Sequence, residues 1–360
     1  DWYNAELVLE NTRLQTDYLR ENHPELFRKP FINNECDPIA GWSAEFEWRA
    51  GPFYPAFIAR VINMCQVDLV ERQGIDYQLH HNDNAFLGNW YNRTLLARIE
   101  DSGRFALIKQ QPLMLHEIMS LLGDQTLEMN NFTRIHENIG VLPTRRGDKV
   151  VALLVYNSVN DPDTTGQSRL GLHLKGLPFK QARMISYRMD QHYSNPHRVY
   201  EEMGKPDIPS AEQLAALREA MEPEMNEPPR TVKIEGGRLS FKIDQPLPGV
   251  TLMLLAQKPE EPPVEPQGLR GKVYPGLHGP EVMLRWKDSG SRLIQTYVIE
   301  QAPAVDGPWK RVNQADVLSS AYIHATAGSP DGYYRVKAVD YWNRDSGYSE
   351  VLKMESEIDE

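Results

Sequence analysis

Lys29-Pro30-Phe31-Ile32-Asn33-Asn34-Glu35-Cys36-Asp37-Pro38, continued by Gly41-Trp42-Ser43, is the stretch on which the fold turns. A short apolar run at Phe31-Ile32 ends in polar residues and a turn, with Glu35 at the exit. A buried parallel strand of a (β/α)8 barrel needs only a few apolar residues, and its last side chains emerge on the face where barrel enzymes build their sites. Glu35 is thereby a candidate catalytic carboxylate. Standing alone it reads as a surface-loop glutamate, so the choice depends on the rest of the chain.

Outward from this stretch the pattern is βα alternation. Ala5 to Glu21 has helical periodicity, with Leu7, Val8, Leu14, Tyr18 and Leu19 roughly on one stripe. Gly51 to Gln66 is a second helix carrying Phe57, Ile58, Val61, Ile62 and Cys65. A strand around Ile75 to Leu79 then enters the polar loop His80 to Asn84, and a helix from Pro112 to Leu122 stops at Gly123. An eight-unit barrel typically takes ~250 residues, about twice what this region supplies, so residues 1–128 are expected to be the C-terminal portion of a barrel.

From about Lys149 the period becomes two. Val151 to Tyr156, Leu170 to Leu174, Met184 to Met189 and Val250 to Ala256 read as strands. Thr231 to Ile234 and Leu239 to Ile243 flank Gly236-Gly237, a hairpin signal. Ser210, with Gln213 three residues later, is a capping box that opens one inserted helix. Residues 129–257 are therefore expected to form a β-sandwich with a helix in it. Lys258 to Gln267 holds four prolines and three glutamates, a stiff linker. Residues 268–360 alternate again at Val282 to Trp286, Tyr297 to Glu300 and Tyr333 to Val339, with Trp286 and Tyr334 placed as in fibronectin type III modules. The fold class is multidomain: α/β, then all-β.

Composition narrows the function. Across 360 residues, 41% hydrophobic and 25% charged is ordinary for a globular protein, and the net charge of -11 argues against a nucleic-acid binder, which needs a basic stripe. No apolar run approaches a bilayer span, so no membrane partner is expected. Asp1-Trp2-Tyr3 shows neither a signal peptide nor an initiator Met, and the chain reads as part of a longer or processed protein. Cys36 and Cys65 provide no disulfide framework and sit among apolar residues, where a thiol packs as a small hydrophobe. Asn92-Arg93-Thr94 and Asn131-Phe132-Thr133 fit the N-glycosylation pattern, a tripeptide common by chance.

Three blocks resemble the α-L-iduronidases of glycoside hydrolase family 39. Asn33, Glu35, Asp37, Pro38, Gly41, Trp42, Ser43, Trp48, Arg49 and Ala50 are similar to the family's nucleophile segment. Asn82-Asp83-Asn84-Ala85-Phe86-Leu87, followed by Arg93-Thr94-Leu95 and Ala97-Arg98, resembles its strand-eight loop. Tyr334 to Trp342 resembles its C-terminal domain, so the similarity spans nearly the whole chain and is weakest in the middle third. The resemblance implies strands seven and eight of the barrel, a retaining glycosidase acting on terminal α-L-iduronosyl residues of glycosaminoglycan-like glycans, no cofactor, and a lysosomal or secreted location. The partners it implies are a uronic-acid-containing carbohydrate and the upstream half of the same barrel.

Retaining glycosidases need two carboxyl groups about 5–5.5 Å apart, one attacking the anomeric carbon and one protonating the leaving oxygen. By resemblance Glu35 is the nucleophile, and the acid/base lies in an Asn-Glu-Pro upstream of this chain. The one Asn-Glu-Pro here, Asn226-Glu227-Pro228, follows a helix and precedes a Pro-Pro turn, and Glu227 reads as solvated linker. Asp37 reads as a turn residue. Arg93 resembles an arginine that takes the sugar's C6 carboxylate, which its planar fork suits; from the residues alone it reads equally as a helix-start arginine in a surface ion pair. Asp83 resembles a sugar-contacting aspartate, with a plain turn as the alternative, and Gly41 and Trp42 resemble pocket-lining residues, with packing under the rim as an equally ordinary use.

His80-His81 with Asp83 lacks any metal-ligand spacing, so no metal is expected, and Cys36 has no assignable histidine to make it a nucleophile. The loop from Asp83 to Arg93 is short and carries Asn89-Trp90-Tyr91, and the disulfide common in the family's C-terminal module cannot form here. Both departures leave room for another uronide or glycoside. Two rivals stand beside the main reading: a non-catalytic carbohydrate-binding or scaffold chain, and a family-39 β-xylosidase, against which Arg93 argues because a pentose has no C6 carboxylate.

Overall fold

The computed structural model describes residues 4–33, 37, 39, 44–79, 87–129, 138–288, 290, 293–326 and 329–355. Glu35, Gly41, Trp42, Asp83, Cys36, the His80-His81 pair and the Asn131 tripeptide lie outside the described residues.

The chain begins with α1 (Ala5–Asn22) and a single turn α2 (Pro24–Phe27), then β1 (Phe31–Asn33), α3 (Phe53–Cys65) and β2 (Tyr77–Leu79). Asn4 caps α1 by accepting from the amides of Glu6 and Leu7. Only part of the stripe of α1 faces inward: Val8 packs against the core and Leu19 is half-buried, but Leu7, Leu14 and Tyr18 are exposed, while Ala5, Leu9, Thr12 and Thr16 are buried. The buried threonines satisfy their hydroxyls locally, Thr12 on the carbonyl of Val8 and Thr16 on that of Arg13, so a helix face of small residues can lie against its neighbours at low polar cost. Arg13 grips Asp68 of the following π-helical turn with both nitrogens, at 2.6 and 2.5 Å, and orients the helix.

Helix α3 is buried almost all round. Phe53, Phe57, Val61 and Cys65 recur every four residues and pack with Ala5 and Leu9 of α1, while Tyr54 and Ile58 pack on the opposite side against Val150, Ala152 and Leu154. At about 1.5–3 kcal/mol for each fully buried large apolar side chain, this helix is the hinge pin between the two layers.

Next come β3 (Leu87–Gly88), β4 (Leu96–Asp101), β5 (Arg104–Lys109) and α4 (Gln111–Met119). β4 and β5 form a hairpin turned at Ser102 and Gly103, both with positive φ of 51° and 81°, the backbone a tight two-residue turn demands. The middle of the chain adds β6 (Gln125–Thr126), β7 (Ile139–Arg146), β8 (Val150–Asn157), β9 (Gly166–Leu174), β10 (Gln181–Met189), α5 (Pro196–Glu202), α6 (Ala211–Ala220), β11 (Glu224–Lys233), β12 (Leu239–Leu247) and β13 (Gly249–Ala256). A six-stranded sheet runs β11-β10-β13-β8-β7-β6, and β9 pairs with β12 opposite it. Two helices, not one, are inserted; α6 opens with the Ser210–Gln213 capping box as expected.

Gly236 and Gly237 do make a turn, closed by the Glu235–Arg238 bridge, but the strands on either side belong to different sheets, so the expected hairpin is a crossover. β11 and β12 instead face each other across the sandwich, with Val232, Ile234 and Ile243 in one core. Glu227 is not linker either. It lies within β11, opposite Ser186 at a bulge, which is how an edge strand accommodates Pro228 and Pro229.

The C-terminal part comprises β14 (Gln267–Gly276), β15 (Gly279–Lys287), β16 (Ile294–Ala302), β17 (Lys310–Arg311), β18 (Ala321–Ala325), β19 (Gly332–Asp340) and β20 (Leu352–Met354). Its two sheets enclose Val282, Leu284, Trp286, Ile299, Tyr334 and Val336, with Trp286 edge-on to Tyr297 at 5.0 Å. The β4–β5 hairpin continues one of them, giving the order β18-β15-β14-β5-β4-β3, with Phe105 stacked on Tyr274 at 5.6 Å. Tyr187 and Tyr341 meet hydroxyl to hydroxyl at 2.8 Å, tying the middle sheet to this unit.

Candidate active site

β1 and β2 pair in parallel, Phe31 with Tyr77 and Asn33 with Leu79, so their C-terminal ends lie side by side. The segments carrying Glu35 and Asp83 leave from those two ends. Beyond β1 the chain is held by Asp37, whose Oδ1 accepts from the amide of Ile39 at 3.1 Å in an Asx turn, as its reading as a turn residue implies. The same carboxylate is also buried and takes on more. Oδ2 accepts from the Tyr54 hydroxyl at 2.6 Å, and Oδ1 meets Arg49 Nη2 at 3.3 Å. Both oxygens are engaged, which leaves Asp37 a positioning role and no opening as a general acid.

Arg49 is 1% exposed, donates to the carbonyls of Ala44 and Ile39, and lies over the rings of Phe46 and Trp48 at 5.0 and 5.2 Å. Burial, and then the Asp37 carboxylate, push the Tyr54 phenol well above its ordinary value; Arg49 and Arg93 oppose them. Tyr54 is therefore a fixed neutral donor, and Arg93 lies within electrostatic reach of it.

Arg93 is not at a helix start but in the loop between β3 and β4, 3% exposed. Among the described residues no carboxylate comes within ion-pair distance of it, and its Nε has no hydrogen-bond partner. Leaving a buried charge uncompensated costs several kcal/mol, so a buried guanidinium with no carboxylate partner among the described residues is suited to hold an anion. The loop is rigidly built: Gln110 donates to Thr94 Oγ1 at 2.6 Å, and the amides of Tyr91 and Asn92 bond back to Asn89 Oδ1. Trp90, 5% exposed, stacks on Tyr200 of α5 at 5.1 Å, and Tyr91 reaches His197 of the same helix. Asn89-Trp90-Tyr91 thus docks on α5.

Of the expected site residues, Arg93 alone is described; it lies within electrostatic reach of Tyr54, which hydrogen-bonds Asp37 of the segment that follows Glu35. Arg49 and Tyr54 were missed as members of this cluster. Arg49 stood in the resembling motif, but nothing in the sequence tied Tyr54 to Asp37 across seventeen positions. Among the described residues no three His, Cys, Asp or Glu side chains gather as metal ligands.

Residues 3–239 match the model for glycosyl hydrolases family 39. The chain belongs to this family. Residues 276–356 match the family's alpha-L-iduronidase C-terminal domain. Among curated proteins, alpha-L-iduronidase of Mus musculus is 28% identical over 96% of this chain and 58% of its own length, and that of Homo sapiens is 28% identical over 96% and 56%. A solved bacterial orthologue of human α-L-iduronidase superposes with a TM-score of 0.85 at 28% identity, covering 97% of this chain and 61% of that one. A monomeric beta-xylosidase from Caulobacter crescentus CB15 shares the fold, with a TM-score of 0.53 at 13% identity over 71% of this chain and 51% of that one. The family 39 chain described here therefore spans a little over half the length of these relatives.

Proposed function

We propose that the chain forms the strand-seven and strand-eight part, with the accessory sandwiches, of a retaining exo-glycosidase acting on terminal α-L-iduronosyl residues of glycosaminoglycan-like glycans. Glu35 attacks the anomeric carbon as the glycosidic oxygen departs with a proton from an acid on an upstream barrel segment, and water then releases the sugar from Glu35. Arg93 takes the C6 carboxylate, while Asp83, Gly41 and Trp42 contact the ring. The observation that carries this reading is the buried guanidinium of Arg93, which has no carboxylate partner among the described residues, near Tyr54 and the segment that follows Glu35. The family match supports the reaction type, and the iduronidase relatives support the substrate.

The test is Arg93→Ala in the enzyme with its complete barrel. kcat/KM for an iduronide is expected to fall roughly a hundredfold, as for loss of a buried charge-assisted pair, with little change for a neutral xyloside. Equal losses on both substrates overturn carboxylate recognition.

A further inference from the structure

A cleft of about 490 Å³ opens at β10 and β11 of the middle sheet, with Trp342 of the C-terminal unit in its wall. Its lining includes Lys180, Arg183, Lys258, Gln181, Thr231 and Trp342. Among the described residues no carboxylate lines it, although acidic residues outnumber basic ones by 50 to 39 in the whole chain. Three cations lining one cleft with no described counter-charge, in so acidic a protein, is a local inversion of the molecule's field.

The fold explains the placement. On β10, Arg183, Ile185 and Tyr187 point to one face; Ile185 and Tyr187 are buried in the shared core, and Arg183 is the position at which that core ends. Arg183 sits opposite Thr231 on one side and Ala256 on the other, so small neighbours leave its guanidinium room. Its Nε is buried without a hydrogen-bond partner, and among the described residues no carboxylate pairs with Arg183, Lys180 or Lys258. Trp342 is half-buried against the core and offers the cleft an apolar wall.

We infer that this cleft is a second binding site, for an anionic glycan segment, in which Arg183, Lys180 and Lys258 take carboxylate or sulfate groups and Trp342 takes the face of a sugar ring. A planar guanidinium matches such oxyanions bidentately, an indole offers the flat apolar surface that a pyranose face needs, and the cleft's size is that of an ordinary small-ligand site. The choice of a glycan rests on the proposed glycosidase function; anion binding at the cleft rests on charge and geometry alone. The site would hold a long polyanionic chain while its end occupies the first site.

Titration calorimetry on the full chain carrying Arg93→Ala, with a sulfated iduronate-containing tetrasaccharide, tests this. Binding that weakens roughly tenfold or more in Lys180→Glu/Lys258→Glu, both exposed lysines, and again in Arg183→Gln, and that fades with added salt, is the expected result. Unchanged binding in these variants overturns the site. Equal affinity for an oligoglutamate peptide overturns the glycan and leaves an acidic-peptide surface. If the enzyme with its complete barrel and native Arg93 hydrolyses no uronide, yet the tetrasaccharide still binds the Arg93→Ala chain and the lysine variant still loses it, the cleft stands and the catalytic reading alone fails.

Discussion

Arg49 Nη2 lies 3.3 Å from Asp37 Oδ1, and both side chains are almost wholly inaccessible. The pair closes the segment between β1 and α3, the segment that carries Glu35, Gly41 and Trp42. Breaking one partner of a buried pair leaves the other charge uncompensated, which typically costs 3–5 kcal/mol. Arg49→Ala is therefore expected to lower the urea midpoint strongly. Tyr54→Phe, which removes the 2.6 Å hydrogen bond to Asp37, is expected to cost about 1–3 kcal/mol. Equal midpoints for wild type and Arg49→Ala would show that the pair holds nothing.

Lys109 of β5 reaches Glu222 at 2.7 Å and Glu117 of α4 at 2.9 Å, two carboxylates on one buried ammonium. Burial, with Glu117 adding to it and Lys109 opposing, raises the Glu222 carboxyl from 4.5 to about 7. The folded state thus binds a proton that the unfolded chain releases near pH 4.5. This contribution to stability is fully present below about 4.5 and is lost as pH rises through about 7. Glu222→Gln is expected to flatten the fall in melting temperature between pH 5 and 8 while keeping the Lys109–Glu117 pair; an unaltered slope places the titration elsewhere.

Trp90 ties the Arg93 loop to α5 through its 5.1 Å stack on Tyr200. Trp90→Ala is expected to cost about 3–5 kcal/mol, typical of emptying a buried aromatic site. Because Arg93 is three residues along, the same variant is expected to raise KM for an iduronide more than it lowers kcat. A KM that stays constant in denaturant below the unfolding transition separates Arg93's position from this stack.

Much of the architecture is legible in the chain because it is written in local chemistry. Val151 to Tyr156 is an unbroken apolar run and becomes the fully buried β8; Ser210 and Gln213 cap α6 as their spacing requires. Orientation is less accessible. Periodicity showed a stripe through Leu7, Leu14 and Tyr18 but not that the threonine face of α1 would be the buried one, since Thr12 and Thr16 hide their hydroxyls on their own helix. The β4–β5 hairpin was missed although Ser102-Gly103 signals it, because β5 pairs with β14, a strand that begins only at Gln267. At the candidate site Arg93 was found through a local motif, whereas Tyr54 reaches Asp37 by tertiary folding alone.

Glu35 leaves β1, whose C-terminal end adjoins that of β2, and the downstream Asp37 is already committed to Arg49, Tyr54 and Ile39. If Glu35 is the nucleophile, no described neighbour can replace it, because a substitute must present a free carboxylate to the anomeric carbon. Glu35→Gln in the enzyme with its complete barrel is expected to lose several orders of magnitude in kcat on an iduronide, with the same circular dichroism and melting midpoint as wild type. Intact-mass measurement with a slow, 2-fluoro-substituted iduronide gives the decisive signature: a covalent glycosyl adduct on wild type, mapping to the peptide that contains Glu35, and none on the variant. An adduct that maps to another carboxylate, or a Glu35→Gln enzyme with undiminished turnover, moves the nucleophile off this strand.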